Sequence, residues 1–267
     1  MRTRELAHLT WPEVREAIDG GAGVILPVGA TEQHGFHLPL ATDALLGSAL
    51  ARDVAGAVDM LVAPAVSYGY RSRPLTGGGS GFVGTTSLSA RTLMDLVEDV
   101  LREFLRHGFT RLVVLNWHME NQNFIYESAW LAVEQRADPS ARVMVLETPF
   151  QDLPDDLRAM MWPEGFPGWG VEHAARFETS LMLHVHPELV LAERAVDDRA
   201  ERLPWWDVVP TPPDMVPASG TLWTVEGATA EKGRLAWEAI VAQTTAAVRE
   251  ELPAPVAGRD GVRTRVG

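Results

Sequence analysis

Hydrophobic positions fall along this chain in two alternating rhythms. Short apolar runs at Gly23-Val24-Ile25-Leu26-Pro27-Val28-Gly29, Met60-Leu61-Val62-Ala63-Pro64-Ala65-Val66, Arg111-Leu112-Val113-Val114-Leu115 and 142–146 are almost uninterrupted by polar residues. Such runs predict strands buried on both faces, as in a parallel sheet. Between them the apolar residues recur every three or four positions. Leu45, Leu46, Leu50 and Val54 predict a helix over 44–57. Leu93, Leu96, Val97, Val100, Leu101, Phe104 and Leu105 mark the stripe of an amphipathic helix from Ser89 to His107, which Gly108 ends. Thr10 is a cap for a helix that carries Pro12 in its first turn and runs to about Asp19. Further helices are expected over 121–137, 172–186 and 228–251, and a long segment rich in Pro, Gly and Trp runs up to Gly170. Strands alternating with helices predict an α/β fold, a three-layer αβα sandwich with a mainly parallel central sheet.

The 267 residues, 46% of them hydrophobic, suffice for one large core. No internal repeat and no Gly/Ser-rich linker divides the chain, so 1–253 reads as a single domain and 254–267 as a flexible C-terminal tail. The Pro-rich stretch 204–217 reads as an ordered loop. A net charge of −13 weighs against a nucleic-acid partner, which needs a basic footprint. The absence of cysteine excludes disulfides and thiolate chemistry and leaves only nitrogen and oxygen donors for any metal. No apolar run approaches the ~18 residues of a membrane span, and the first ten residues lack the apolar core of a signal peptide. A soluble cytoplasmic protein with no membrane partner is expected.

Unusual chemistry is concentrated in Thr31-Glu32-Gln33-His34-Gly35, Thr42-Asp43 and Asn116-Trp117-His118-Met119-Glu120-Asn121. Together these supply two imidazoles and three carboxylates, the donor stock of a two-metal hydrolytic site. Glu32 and His34 are two apart, as are His118 and Glu120, and in extended backbone such pairs point to one side. Each pair follows a predicted strand, at the end where open α/β sheets bind ligands. Asp43 reads either as a helix cap or as a ligand returned toward His34 by Leu38-Pro39-Leu40-Ala41. The Gly-rich loop from Gly77 to Thr86 lacks the Lys-Ser/Thr of a phosphate loop and reads as backbone in close approach to a ligand or a neighbouring subunit. His37 reads as an outer neighbour of the ligands or a surface residue, and His8, His107, His184 and His186 as surface histidines. Trp11, Trp130 and Trp237 fall in helical patterns and are expected to pack; Trp205 and Trp206 read as a subunit contact or a pocket mouth.

At these residues the chain resembles the creatininase (creatinine amidohydrolase) family. Gly29-Ala30-Thr31-Glu32-Gln33-His34-Gly35 with Thr42-Asp43 is similar to that family's first metal motif, and His118-Met119-Glu120-Asn121 to its second. Pro163-Glu164-Gly165-Phe166-Pro167-Gly168-Trp169, Val171-Glu172-His173, 177–183 and the Gly77 loop are similar as well. The resemblance implies a homohexamer with a binuclear zinc or manganese centre that opens a cyclic amide, creatinine to creatine. It implies that Glu32 and His118 hold one metal, His34 and Glu120 the other, and that Asp43 bridges them. Glu120 and His173 become the catalytic residues, His173 as the proton-transfer group. Trp169 becomes a flap aromatic over the substrate, and Met119, standing where the family carries tyrosine, and Glu178 are read with it as substrate-binding residues; Glu178 also reads as the group that orients His173. Pro149, with Phe150 beside it, stands where the family carries a second tryptophan. That departure keeps open another lactam, a formamide or a peptide-like amide as substrate, and a non-catalytic metal-binding scaffold is the reading from another class.

Overall fold

A computed structural model describes residues 2–134, 136–201, 204–212 and 215–255. Among them β1 (Gly23–Val28), β2 (Met60–Val62), β3 (Arg111–Asn116) and β4 (Arg142–Leu146) form a four-stranded parallel sheet in the order β2-β1-β3-β4. Ile25 is in register with Val62 on one side and Val113 on the other, and Val28 with Asn116. The two central strands therefore deliver 29–34 and 117–120 side by side at their carboxyl ends. β2 is shorter than its apolar run because Pro64 has no N–H to give a ladder. Pairing nevertheless resumes at Val66, which donates to Pro27 O and accepts from Gly29 N, both at 2.9 Å.

Alternate residues of the central strands serve opposite layers, as the two-residue period requires. Ile25, Val113 and Leu115 face a core shared by α2 (Thr42–Val58), α7 (Arg176–Val185) and α8 (Ala230–Glu251). Val24, Leu26, Val28, Leu112 and Val114 face the core of α1 (Trp11–Asp19), α4 (Ala90–His107) and α5 (Gln122–Glu134). The expected αβα sandwich is the observed one. Leu93, Val97 and Leu101 anchor α4, each contributing about 1.5–3 kcal/mol of burial, while Leu96 stays exposed. Ser89 Oγ caps that helix by accepting from Thr92 N, and Gly108, at φ 100°, ends it in the left-handed conformation that glycine adopts without strain.

Several expectations need correction. α7 starts at Arg176 rather than 172 because Ala174 is left-handed (φ 52°), which interrupts any helix running back through it. His173 is thus a loop residue. The segment before Gly170 contains α6 (Asp155–Met161), and a short turn, α3 (Pro74–Gly77), precedes the remaining glycines. Trp237 packs as expected, but Trp11 and Trp130 are 82% and 52% exposed. Trp11 is the first helical residue of α1, and α5 carries apolar residues round its circumference, so period alone does not choose its buried face. The tail expected from 254 lies outside the described residues from 256 onward.

Candidate metal centre

The site is assembled where β1 leaves the sheet. A Cβ on Gly29 would lie 2.6 Å from Ala44 N, so the absence of a side chain lets the first turn of α2 rest on the strand end. Glu32 N donates to Leu40 O at 2.8 Å and closes the intervening loop. That closure returns Asp43 to Glu32 and His34. The cap of α2 is Ala41, and Asp43 turns inward: its Oδ1 is 3.3 Å from His34 Nε2 and its Oδ2 3.1 Å from His118 Nδ1. Glu32 Oε2 lies 3.2 Å from the same His118 nitrogen. Glu32, His34, Asp43 and His118 are each no more than 2% exposed.

Both ring orientations are set from behind. His34 Nδ1 donates to Glu32 O at 3.1 Å, and His118 Nε2 donates to Tyr70 O at 3.1 Å. Each ring then offers its other nitrogen to the acids, the arrangement that prepares imidazole as a metal ligand. Burial opposes charge on both histidines, yet Asp43 and Glu178 hold the pKa of His34 well above its ordinary value, and Glu120 and Glu32 do the same for His118. Burial pushes Glu32 up to about 7 against the pull of His118, whereas the two imidazoles outweigh burial at Asp43 and keep it well below the carboxylate range. Without a metal the buried carboxylates are neutralised by protons on the imidazoles, and a divalent cation is the natural replacement for those protons. Among the described residues Glu32 Oε1, His34 Nε2 and Asp43 Oδ2 are buried without a well-formed hydrogen bond, the last two facing only other members of the cluster. Buried polar atoms are otherwise almost always paired, so the residues present fit a metal pair.

The second motif splits. After His118 the backbone enters a 3-10 turn, Met119–Asn121, so the extended relation between His118 and Glu120 is lost. Glu120 Oε2 lies 3.5 Å from His118 Nε2, the nitrogen turned away from Asp43, and its Oε1 accepts from Thr76 Oγ1 and, at 3.1 Å, from Arg73 N. Among the described residues no set of donor atoms close enough to share an ion joins Glu120 to His34. Glu178 occupies that side, its Oε2 3.7 Å from His34 Nε2 and accepting from Ala174 N at 2.7 Å. Its partner is therefore His34 and not, as expected, His173. Donor atoms close enough to share an ion are found in Glu32, Asp43 and His118, in His34, Asp43 and Glu178, and in Glu32, His34 and His173.

His173 is held by Gln33. The Gln33 amide nitrogen is 2.9 Å from His173 Nε2, while its two hydrogens go to Gly77 O at 3.1 Å and Gly220 O at 3.0 Å. His173 Nε2 must then be the donor to Gln33 O, at 2.8 Å, and Nδ1 makes no hydrogen bond among the described residues. Burial, reinforced by His34, lowers its pKa well below the ordinary value. A narrow cleft opens over these groups, walled by Trp117, Phe150, Trp169 and Phe177 and flanked by Thr76, Met119, Glu120, Glu172 and Glu178. Phe150 meets Trp169 edge-on with ring centroids 5.0 Å apart, while Pro149 uses its carbonyl to accept from Gln243 and does not line the cleft. Glu172, also buried, accepts from Trp162 Nε1 and from Phe177 N, pinning the loop that bears His173 to the start of α7.

The sequence reading missed Gln33, Thr76, Phe150 and Glu172. Gln33 stood inside the first motif, on the opposite side of the strand-like backbone from Glu32 and His34, and that position was its only signal. The Gly-rich loop does make a close approach, but to the site's own acid: a Cβ on Gly77 would be 2.0 Å from Glu32 Oε1. His37 is buried rather than at the surface, and His8 and His107 are exposed. Among the described residues no helix is long and apolar enough to cross a membrane.

Comparison with known proteins agrees with this geometry. The creatininase family model, described as creatinine amidohydrolase, matches residues 7–248. A creatinine amidohydrolase of Pseudomonas putida is 42% identical over 254 residues, covering 93% of this chain and 97% of that protein. Two solved structures, a creatininase mutant complexed with creatine and a manganese creatininase, each superpose with a TM-score of 0.90 at 41% identity, covering 94% of this chain and all of theirs. With the donor cluster at the ends of the central strands and a match over nearly its full length, the chain belongs to the creatininase family.

Proposed function

We propose that this protein hydrolyses creatinine to creatine with two divalent ions per chain. Water adds its oxygen to the ring carbonyl carbon, the ring C–N amide bond breaks, and the leaving nitrogen takes a proton. Glu32, Asp43 and His118 would hold one ion and His34 with Asp43 the other, zinc or manganese, and the bound pair acidifies water and polarises the carbonyl. Beyond Asp43, Glu178 is the carboxylate that faces His34, at 3.7 Å, and Glu120 is the one the family resemblance assigns there. His173, neutral because it is buried, accepts a proton at Nδ1 and passes it to the departing nitrogen, while its Nε2–H stays locked on Gln33 O. Trp169, Phe150 and Phe177 offer flat apolar walls to a planar ring, with Met119 beside them.

The observation that carries this reading is the set of buried ligand atoms without well-formed hydrogen bonds under an aromatic cleft. Incubating the metal-loaded protein with creatinine, with an EDTA-treated control, tests it: creatine appears only with metal. His173→Ala is expected to slow turnover by about 10²–10⁴-fold with metal content unchanged; loss of metal would make His173 a ligand. Phe150 and Met119, in place of a larger wall, favour a second reading in which the same chemistry acts on another lactam, a formamide or a peptide-like amide. Turnover in a panel of such amides, with no creatine formed by fully metallated protein, selects it. The family resemblance further implies a homohexamer in the cytoplasm, and the exposed Trp205 and Val209 are apolar surface that a subunit contact would cover. Light scattering coupled to size-exclusion chromatography measures the subunit count.

A further inference from the structure

His37 has no part in the chemistry above, yet it is buried and built into the centre. It ends a turn that begins at His34: Leu38 N donates to His34 O at 3.3 Å, and Gly35 bends the chain at φ 66° between the two histidines. Its ring Nε2 is 2.8 Å from Thr179 Oγ1 on α7. Its carbonyl accepts from Leu191 N at 2.9 Å, fixing the same residue a second time. Thr179 directly follows Glu178, so one hydrogen bond ties the turn that carries His34 to the helix that carries Glu178. On the inner side of that tie His34 Nε2 and Glu178 Oε2 face each other across 3.7 Å. The imidazole leaves Nδ1 buried without a hydrogen-bond partner among the described residues. The polar ring at this position is explained by what its other nitrogen grips.

We propose that His37 is a positioning residue: through Thr179 it sets the separation of His34 and Glu178, and with it the affinity for the ion held on the His34 side. This rests on the two-ion reading of the site. Outer partners of metal ligands are typically worth ten- to a hundred-fold in metal affinity. Their effect is selective, because the backbone of Glu32 is tied to Leu40 and the ring of His118 to Tyr70, neither of them through His37.

The test is cobalt titration of the metal-free full-length protein, read as stoichiometry and affinity by chelator competition and as the cobalt absorption spectrum. Wild type takes up two ions per chain. Thr179→Val, nearly isosteric, and His37→Phe each weaken one ion by about ten- to a hundred-fold and alter its spectrum while the other is unchanged. Thr179→Ser restores both affinities, and the double variant is no weaker than either single one. Unchanged binding of both ions in Thr179→Val overturns the proposal, as does equal loss of both, which is the mark of general loosening. Wild type that binds no divalent ion overturns the two-ion reading along with it, so the two failures are told apart by the wild-type titration alone.

Discussion

The loops that follow β1 and β3 start alike and finish differently. Each leaves a central parallel strand, and each carries a histidine and a glutamate two residues apart. After β1 the chain stays extended through Glu32 and His34, is closed by the Glu32–Leu40 hydrogen bond, and returns Asp43 to the same point. After β3 the chain stays extended only as far as His118 and then coils into a 3-10 turn, stabilised by Asn116, whose amide donates to His118 O at 2.7 Å, and by Asn121, which donates to Gly29 O at 3.0 Å. His118 stays in the cluster and Glu120 turns to Thr76 and Arg73. Identical spacing thus produces convergence in one loop and divergence in the other, because period-two geometry holds only while the backbone remains extended.

The largest effect belongs to the residue that joins the two halves. Asp43→Asn keeps the shape of the side chain and removes the charge facing both His34 and His118. Loss of both ions by metal analysis, with no measurable turnover and a retained circular dichroism spectrum, is expected; retention of either ion would mean that the halves bind independently. Gly77→Ala acts next, and on one half. The new methyl would press within 2.0 Å of Glu32 Oε1 and 2.6 Å of Ser72 Oγ. The ion shared by Glu32 and His118 is expected to be lost while the His34 side still binds, measured as one ion per chain. Two ions in that variant would show that the Gly-rich loop yields rather than Glu32.

The contrast between the loops also explains what was legible in the sequence. The sheet and its two helical layers could be read because uniformly apolar runs and helical stripes report burial directly, as with 23–28 and 89–107. Glu32, His34, Asp43 and His118 were legible because charged residues clustered after buried strands have few other uses. The direction of Glu120 was not, since the coil that redirects it is set by hydrogen bonds from Asn116 to His118 O within the loop and from Asn121 to Gly29 O at the end of β1. Gln33, Thr76 and Thr179 carry ordinary side chains whose importance comes only from contacts across 44 to 187 residues of chain. The exposure of Trp11 and Trp130 was equally hidden, because an aromatic side chain in a helical pattern reads as packing wherever it points.

Glu178→Gln and Glu120→Gln ask which acid completes the His34 side. By distance, Glu178→Gln is expected to weaken that ion by at least tenfold, or about 1.4 kcal/mol, with Glu120→Gln depressing turnover at nearly full metal content. The reverse pattern would mean that ion binding pulls Glu120 away from Thr76. Thr76→Val then gives the smallest and most discriminating effect. It removes one of two protein donors to Glu120 and leaves the Arg73 N–H in place. A hydrogen bond to a charged group is worth roughly 1.5–3 kcal/mol, part of which water recovers at a site open to the cleft. If the Thr76 contact competes with metal binding, freeing Glu120 tightens the second ion by a few-fold, read by chelator competition, and that is the expected outcome. An unchanged affinity with a lower kcat would place Glu120 outside the metal centre, as an acid oriented toward the substrate, and the divergence of the second loop would then be part of the working site.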